Sequence, residues 1–263
     1  MYKLIAVDLD GTLLDREHRL SLRNRQAILD VVEAGVIFSL STGRPLQGVK
    51  AIIDMIDADL PFTIYNGAMI ITSRSKQVLF ESVLAGELAV EVVRLGQARG
   101  TSMLLYKDGV LYVSEINDTV RKYISIVGVV PNVPDDLAKV ASLGVTKIVW
   151  RDSPARIAAF QDEVRPLVDG RISCSSSNPT LLEFFDIDSS KGAAMQKIGA
   201  IYNIDQSEMM AIGDAYNDIS MIKYAALGVA MGNAPQEIKD LADFVTLTNN
   251  EDGVAEAIYR FAI

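Results

Sequence analysis

Short apolar runs and amphipathic stretches follow one another in a regular order over the first part of the chain. Residues 4–7 are continuously apolar, which is typical of a parallel strand buried on both faces. The next stretch carries an apolar stripe that Ser21 can cap at its start and Gly35 can end, which predicts a helix. The order continues with strands predicted at residues 36–40 and 62–65 and a helix at about 47–57. Strand–helix–strand order with short links indicates a right-handed parallel α/β sheet.

The last third of the chain repeats this order. Its predicted helices are at about 191–202, 217–225 and 235–242, with one more at the end, and its predicted strands are at 209–212, 227–231 and 244–247. The first and last parts of the chain therefore predict the same kind of sheet, and we expect them to form one α/β, Rossmann-like parallel-sheet core.

The middle of the chain has a different pattern. Two short strands are joined through Asp108-Gly109, a strong hairpin signal. The strands predicted here are at 102–106, 110–113, 145–150 and 181–185, and the helices at about 86–99, 117–127 and 154–168. This is α+β patterning without strict alternation. We therefore expect an inserted α+β domain at 84–187, within a discontinuous core made of 1–83 and 188–263.

Composition and charge exclude several classes of protein. The chain has 263 residues, of which 49% are hydrophobic, and a formal net charge of −9. Nucleic-acid binding needs a basic surface, and an acidic chain is repelled by anionic lipid, so we expect neither partner. No apolar run approaches the ~18 residues that cross a bilayer, and the first strand is too short for a secretory signal. Cys174 is the only cysteine, which fits a reducing compartment, and we expect a cytoplasmic protein.

Two aspartates follow the first predicted strand directly. Side chains alternate along an extended chain, so Asp8 and Asp10 can point the same way beyond the strand's carboxyl end. Open α/β sheets bind their ligands at this edge. Two carboxylates this close repel each other unless a cation joins them or one is protonated, and both conditions suit phosphoryl transfer. Taken alone, an ordinary solvated turn remains the alternative.

A second acidic segment, Gly213-Asp214-Ala215-Tyr216-Asn217-Asp218, follows another apolar strand. Carboxylate and amide oxygens are hard ligands of the kind that Mg²⁺ binds together with water and substrate phosphate. A calcium loop is excluded because its alternating acidic positions and central glycine are missing. Capping of a helix by Asp214 remains open and is compatible with metal binding.

Two further segments could hold a phosphate group. Ser41-Thr42-Gly43-Arg44 follows the second strand and offers a hydroxyl, backbone N–H groups at a glycine turn and the next helix N-terminus. Lys191 begins a helix, where its charge opposes the helix dipole, so its position makes sense if an anion lies in front of it. An ordinary strand-to-helix turn and a surface lysine are the respective alternatives.

These four motifs, in this order, resemble those of the haloacid dehalogenase (HAD) superfamily. They read Asp-Leu-Asp-Gly-Thr, Ser-Thr-Gly-Arg, Ser-Lys-Gly and Gly-Asp-x-x-Asn-Asp in this chain. The segments Tyr65-Asn66-Gly67-Ala68, Met231-Gly232-Asn233-Ala234 and Glu251-Asp252-Gly253-Val254 are similar to those of the Cof-type phosphatases. The resemblance spans almost the whole chain, and it implies that the insert at 84–187 is a C2-type cap that sets substrate specificity.

The resemblance implies a Mg²⁺-dependent phosphatase that works through an aspartyl-phosphate. Asp8 is then the nucleophile, and Asp10 first protonates the leaving alkoxide and later deprotonates the attacking water. Mg²⁺ would be held by Asp8, the main-chain carbonyl of Asp10, and Asp214. The expected substrates are phosphate monoesters of small metabolites such as sugar phosphates, with pyridoxal phosphate and flavin mononucleotide as further candidates.

Other residues receive roles from the same resemblance. The phosphoryl oxygens would be bound by Leu9 and Gly43 through their amides, and by Thr42, Lys191 and Asn217. Asp218 would orient Lys191 or a water on the metal. Arg44 and Asn66 are candidates for facing the substrate, with a role in loop geometry as the alternative.

His18, the only histidine, has no place in this mechanism, and we expect it to be solvated or packed. Trp150 is expected in a hydrophobic core. Two other functions stay open: a phosphomutase of the phosphomannomutase kind, which returns the phosphoryl group to a sugar, and a non-enzymatic phospholigand-binding protein. The sequence does not identify the physiological substrate or the oligomeric state.

Overall fold

The computed structural model describes residues 2–56 and 58–263, and the chain divides into two compact units. Unit 1 combines Met1–Phe80 with Ser190–Ile263, and unit 2 is Glu81–Ser189. The sequence-based boundaries at 83/84 and 187/188 lie close to these positions. Each unit has its own sheet, and the two are described in turn.

The first part of unit 1 contains five strands and two α-helices. They are β1 (Leu4–Asp8), α1 (Leu22–Glu33), β2 (Ile37–Ser41), α2 (Lys50–Ile56), β3 (Pro61–Ile64), β4 (Met69–Thr72) and β5 (Val78–Glu81). The predicted cap of α1 is confirmed, because the Ser21 hydroxyl accepts a hydrogen bond of 3.0 Å from the Asn24 amide. A 3-10 helix, Leu46–Val49, precedes α2, and residue 57 of the helix predicted at 47–57 lies outside the described residues.

Unit 2 and the last part of unit 1 supply the remaining elements. Unit 2 contains α3 (Gly86–Arg99), β6 (Ser102–Lys107), β7 (Val110–Val113), α4 (Asp118–Val127), α5 (Leu137–Ala141), β8 (Lys147–Arg151), α6 (Pro154–Val168), β9 (Ile172–Asn178) and β10 (Leu181–Asp186). The chain then continues with α7 (Lys191–Tyr202), β11 (Met209–Gly213), α8 (Ile219–Tyr224), β12 (Leu227–Ala230), α9 (Gln236–Lys239), β13 (Phe244–Val245) and α10 (Gly253–Phe261).

The sheet of unit 1 has the strand order β13-β12-β11-β1-β2-β3-β4-β5. The pairs from β13 to β3 are parallel, as predicted, whereas β3 and β4 are antiparallel. The α/β core with an inserted α+β domain is therefore confirmed, with an antiparallel addition that the sequence analysis missed. The central strands β1 and β11 are buried along their full length, which explains their continuous apolar runs.

The sheet of unit 2 has the order β7-β6-β8-β10-β9, and each of these neighbouring pairs is antiparallel. One face packs against α3 and α6 around Trp150, which is fully buried as expected. The ring of Trp150 lies 4.8 Å from that of Phe184 and 5.9 Å from that of Phe160, between centroids, at angles typical of aromatic pairs in cores. Cys174 is partly buried against this core.

Several predicted elements differ from the structure in length or were missed. The strand predicted at 62–65 ends at Ile64, because Tyr65 and Asn66 take left-handed backbone conformations. The helix predicted at 235–242 is reduced to α9, and the strand predicted at 244–247 to two residues. The sequence analysis missed β4, β5, α5 and β9. In the part of the chain that the structure describes, no helix combines the length and apolar character needed to span a membrane.

Candidate active site

The carboxyl ends of three neighbouring strands bring the candidate residues together. Strand β1 pairs with β11 on one side and with β2 on the other, and Asp8 lies opposite Ser41 in the register. The acidic segment after Gly213 and the Thr42-Gly43 turn therefore begin beside the end of β1. Helix α7 packs on the face formed by Leu4, Ala6 and Ala211, with its first residue at this edge of the sheet.

Lys191 lies between two carboxylates. Its Nζ atom is 2.5 Å from Oδ1 of Asp8 and 2.6 Å from Oδ1 of Asp218. Lys191 and Asp218 are at most 1% exposed and Asp8 is 5% exposed, so these are charge-assisted hydrogen bonds shielded from water. The Ser190 side chain caps α7, and the Gly192 amide donates to the Ser220 hydroxyl, which fixes the start of the helix. The lysine that opposes the dipole of α7 therefore has two anions in front of it.

The charges at this position do not balance. Burial raises the pKa of Asp8 well above its usual value, and the negative charges of Asp218 and Asp214 raise it further, against the opposing effect of Lys191. Burial alone would lower the pKa of Lys191, but the two carboxylates outweigh burial and raise it. Lys191 is thus stabilised as a cation. The positive charge of Lys191 is too small to offset burial and the neighbouring carboxylates, so the ionised form of Asp8 is destabilised.

Asp214 is held by the loop that follows β1. The Thr12 hydroxyl donates to Oδ1 of Asp214 over 2.7 Å. Gly11 has φ +83°, and a Cβ atom there would overlap the Asp214 carboxylate, so both backbone conformation and space require glycine. Asn233 secures the same loop, because its Nδ2 donates to the Gly11 carbonyl over 2.8 Å. Burial raises the pKa of Asp214 to about 6, with the Asp218 charge adding and the Thr12 hydrogen bond opposing.

Asp218 organises the segment rather than facing outward. Its Oδ2 accepts hydrogen bonds of 2.9 Å from the amides of Asp214 and Ala215, while its Oδ1 accepts from Lys191. A side chain at Gly213 would collide with the Asp218 carboxylate, so this glycine permits the close approach. The N-cap positions of the two helices that follow are Ala215 and Asp218, so the alternative of a cap by Asp214 is wrong.

The acidic residues fit a divalent cation. Ligand oxygens of Asp8, Asp214 and Asp218 lie within 4.8 Å of one another. Both oxygens of Asp218 accept hydrogen bonds of 2.6–2.9 Å, whereas Oδ2 of Asp214 receives only a long one of 3.5 Å from Asn233, so Asp8 and Asp214 are the better metal ligands. Their raised pKa values reflect burial and mutual repulsion, and a cation between them would offset both. Carboxylate oxygens of this kind suit hard metal ions.

Asp10 belongs to a different set of contacts. Its carboxylate is bound by the Arg44 guanidinium through two hydrogen bonds, and it is not part of the acidic group around Asp8. His18 Nδ1 lies 3.3 Å from the same Asp10 carboxylate, although the His18 side chain remains 69% exposed. His18 takes a left-handed conformation with φ 58° in the loop after β1. The sequence offers no pattern that predicts this contact.

Asn66 connects the turn at Thr42-Gly43 with the acidic segment that contains Asn217. Asn217 donates from Nδ2 to Oδ1 of Asn66 over 2.9 Å, and Asn66 is buried. A Cβ atom at Gly43 would press on the Asn66 amide, so glycine allows this turn to approach. The buried Thr42 hydroxyl accepts a hydrogen bond of 3.1 Å from the Arg44 amide.

The structure thus places the charged residues among those predicted in two sets. One set surrounds Lys191 and contains Asp8, Asp214 and Asp218, and the other contains Asp10 and Arg44. Leu9 follows Asp8 directly with its side chain buried. Asn66 and Arg44, candidates for facing the substrate, are both engaged by protein side chains. Thr12 and Asn233 were missed as site residues, although both lie in segments on which the resemblance rests.

The sequence is similar to known phosphatases over its full length. Residues 5–258 match the family model described as haloacid dehalogenase-like hydrolase. The putative phosphatase YxeH of Bacillus subtilis is 31% identical, with 100% of this chain and 99% of that protein covered. A second relative from B. subtilis, the 5-amino-6-(5-phospho-D-ribitylamino)uracil phosphatase YcsE, is 31% identical, with 99% of this chain and 96% of that protein covered.

A solved structure agrees with the fold. The crystal structure of a haloacid dehalogenase-like hydrolase from Bacteroides thetaiotaomicron superposes with a TM-score of 0.86 at 32% sequence identity. The superposition covers 99% of each chain, so it includes both the sheet of unit 1 and that of unit 2.

Proposed function

Since the chain belongs to the haloacid dehalogenase-like hydrolases and is a phosphoric monoester hydrolase, we propose that it hydrolyses phosphate esters of small metabolites with Mg²⁺ and an aspartyl-phosphate intermediate. The observation that supports this mechanism most is the position of Lys191 between Asp8 and Asp218, with Asp214 beside them. A phosphate ester and the Asp8 carboxylate are both negatively charged and repel each other. A buried cation and a metal-binding carboxylate beside Asp8 would lower this repulsion.

Asp8 is the proposed nucleophile. Its carboxylate attacks phosphorus, the bond from phosphorus to the ester oxygen breaks, and the phosphoryl group is carried as an acyl phosphate until water cleaves it. Lys191 holds one oxygen of Asp8, which leaves the other for attack. In this proposal Lys191 also binds the phosphoryl oxygens together with the Leu9 and Gly43 amides, Thr42 and Asn217.

Mg²⁺ fits the donor set of Asp8, Asp214 and the main-chain carbonyl of Asp10. A bound ion would supply positive charge that lowers the repulsion between the Asp8 carboxylate and the phosphoryl oxygens. Asp218 keeps the segment in place through the amides of Asp214 and Ala215 and keeps Lys191 directed at Asp8. Thr12 and Gly11 fix the Asp214 carboxylate beside the loop that carries Asp10.

Asp10 is the proposed acid and base. It gives a proton to the departing alkoxide in the first step and removes one from water in the second. Its carboxylate is 42% exposed, in contrast to the buried Asp8, so it can exchange protons with solvent between the steps.

The proposed substrates are phosphorylated sugars and sugar alcohols. The name of YcsE describes a phosphatase for a phosphorylated ribitylamino compound, and two further relatives carry the same description. The compound in that name is a phosphate ester of an open polyol chain. We propose that unit 2 acts as the cap that selects among such esters, with pyridoxal phosphate and flavin mononucleotide as further candidates.

A phosphate-release screen tests the proposed function directly. Purified protein is incubated with a panel of sugar phosphates, polyol phosphates, pyridoxal phosphate and flavin mononucleotide, with Mg²⁺ and with a chelator. We expect Mg²⁺-dependent release of phosphate without a bisphosphate activator. Release that requires such an activator, or transfer within the sugar without release, would favour a phosphomutase, and binding without turnover would favour a phospholigand-binding protein.

Asp10→Asn is expected to lower kcat on sugar phosphates by about 10²–10⁴, the usual contribution of general acid–base catalysis. Mg²⁺ binding is expected to persist, because Asp10 offers the metal only a backbone oxygen in this proposal. Steady-state kinetics and calorimetric Mg²⁺ titration measure the two effects. Asp15→Asn is the matched control, since the Asp15 carboxylate accepts hydrogen bonds from Glu17 and Arg19 within the same loop. Loss of Mg²⁺ binding in Asp10→Asn would contradict the assignment.

Mg²⁺ affinity is expected to weaken as the pH falls through about 6. The pKa of Asp214 is raised to about 6, mainly by burial, so below this pH Mg²⁺ must displace a proton from the carboxylate. Each displaced proton weakens the apparent affinity about tenfold per pH unit. Calorimetry at pH 7.5 and pH 5 checks this without relying on turnover. An affinity independent of pH over this range would contradict binding of the ion by a carboxylate whose pKa is raised to about 6.

A further inference from the structure

The Arg44 guanidinium donates two hydrogen bonds to the Asp10 carboxylate. Nε of Arg44 donates to Oδ2 of Asp10 over 2.8 Å, and Nη2 donates to Oδ1 over 2.5 Å. A planar guanidinium bound to both oxygens of a carboxylate fixes the direction of the carboxylate plane, which a single hydrogen bond or a lysine does not. The two residues lie 34 positions apart and belong to the loops after β1 and β2.

Arg44 is itself anchored by its own loop. Its Nη1 donates to the Gly48 carbonyl over 3.0 Å, and its backbone amide donates to the Thr42 hydroxyl over 3.1 Å. Its carbonyl accepts a hydrogen bond of 3.3 Å from the Tyr65 amide. Each of the three guanidinium nitrogens therefore donates a hydrogen bond to the protein. The guanidinium is held in place by its own loop while it binds Asp10.

Asp10 needs this support because little else confines it. Its side chain is 42% exposed, and two torsions determine where the carboxylate points. His18 reaches the same carboxylate from a side chain that is 69% exposed, so it adds little restraint. Each carboxylate oxygen has two acceptor sites, so Arg44 can occupy one on each oxygen and leave the other for a proton.

We propose that Arg44 is a positioning residue that acts through Asp10, aiming the carboxylate for its proton transfers, and is not a ligand for the substrate. This inference rests on the proposed role of Asp10 as acid and base. If the Asp10 carboxyl group is wrongly oriented, hydrolysis of esters with a poor leaving group slows most, because such a group cannot leave without receiving a proton. A substrate-binding arginine would instead affect all phosphate esters in similar measure.

The leaving group separates these two roles. Wild type, Arg44→Ala and Arg44→Lys are compared on ribose 5-phosphate, an alkyl ester, and on 4-nitrophenyl phosphate, whose leaving group needs little protonation. We expect Arg44→Ala to lower kcat/KM at least about tenfold more on ribose 5-phosphate than on the aryl ester, a part of the full acid–base contribution. Arg44→Lys keeps the charge without the two-pronged geometry and is expected to recover only a minor part. Lys50→Ala, which breaks an exposed ion pair with Asp54 nearby, is the control.

A double-mutant comparison supplies the second readout. If Arg44 acts only through Asp10, then Arg44→Ala should have little further effect on kcat/KM in the Asp10→Asn background. An equal loss on both esters, an undiminished loss in the Asp10→Asn background, or no loss at all would each overturn the proposal. A failure of the proposed function looks different, because Asp10→Asn alone would then fail to discriminate between the two esters.

Arg44→Gln covers the case in which Arg44→Ala disturbs the fold. Glutamine keeps part of the stem and one amide donor group but cannot bind both carboxylate oxygens as a guanidinium does. Circular dichroism and thermal melting establish that the variant is folded, and the same two esters are then compared. A folded Arg44→Gln with wild-type selectivity between the esters would count against Arg44 as a positioning residue.

Discussion

Asp8→Asn is expected to abolish phosphate release while leaving the protein folded. The amide nitrogen and oxygen cannot attack phosphorus as a carboxylate does, and the structure gives the attack no substitute at this position, since Lys191 and Asp218 are committed to each other. The measurement is phosphate release over hours at high enzyme concentration, with rapid acid-quench detection of a phosphoryl group on the protein that alkali or hydroxylamine removes. Near-wild-type turnover in Asp8→Asn would end the proposed mechanism.

The same variant is expected to melt at a higher temperature than the wild type in the absence of metal. The pKa of Asp8 is raised in the folded state, so at pH 7 the ionised carboxylate is less favourable there than in the unfolded chain. A neutral amide removes that cost. Asp59→Asn is the opposite control, because hydrogen bonds from the Arg74 and Ser75 amides lower the pKa of Asp59 and make its charge favourable. A lower melting temperature for metal-free Asp8→Asn would contradict the charge imbalance.

The sequence predicted an anion in front of Lys191 but not the contacts of Asp10. Lys191 is the clearest case, because a lysine at a helix start is unfavourable unless an anion lies ahead of it, and the structure supplies Asp8 and Asp218. The contact between Arg44 and Asp10 could not be predicted in the same way. It depends on how closely two loops approach across 34 residues, and neither residue type by itself specifies a partner.

Strands were predictable where burial gives the sequence a clear pattern of apolar residues. Strands without such a pattern, or too close to a neighbouring strand, were missed. Strands β1 and β11 are buried throughout and read as apolar runs. Strand β9, with the sequence Ile-Ser-Cys-Ser-Ser-Ser-Asn, lies at the edge of its sheet and has few of the residues that favour strands. Strand β4 is apolar and buried but follows a tight turn at Asn66 and Gly67, too close to β3 to be separated by periodicity alone.

The carboxylates near Lys191 carry more negative charge than the lysine can balance. Three carboxylates lie close together near one lysine at the ends of β1 and β11; Asp8 and Asp218 are buried and Asp214 is partly buried, so water screens their charges only weakly. Hydrogen bonds satisfy Asp218 fully, whereas the pKa values of Asp8 and Asp214 remain raised. Among the described residues, the fold therefore holds an unfavourable concentration of negative charge at a group of carboxylates that a divalent cation would stabilise.

Lys191→Met is expected to lower the free energy of unfolding by about 3–5 kcal/mol, the usual cost of removing one partner from a buried ion pair. Turnover should fall to background as well, because Asp8 and the phosphoryl oxygens lose their buried cation. The pKa of Lys191 is raised in the folded state, so its stabilising contribution is complete below the ordinary lysine pKa and is lost only as the pH rises through the higher folded value. Denaturant unfolding at pH 7 therefore measures the full effect.

Lys147→Met provides the comparison that separates charge from packing. Lys147 pairs with Glu183 in unit 2, and both residues are 2% exposed, so this variant also leaves a buried carboxylate without its cation. Both variants should lose stability, but only Lys191→Met removes the cation beside the carboxylates that would bind Mg²⁺, whereas Lys147→Met leaves that group unchanged. Mg²⁺ should therefore raise the melting temperature of Lys191→Met at least as much as that of the wild type, because an ion bound only by the folded state stabilises it by mass action. A smaller Mg²⁺-induced rise in the melting temperature of Lys191→Met than of Lys147→Met would contradict Mg²⁺ binding by the carboxylates around Lys191.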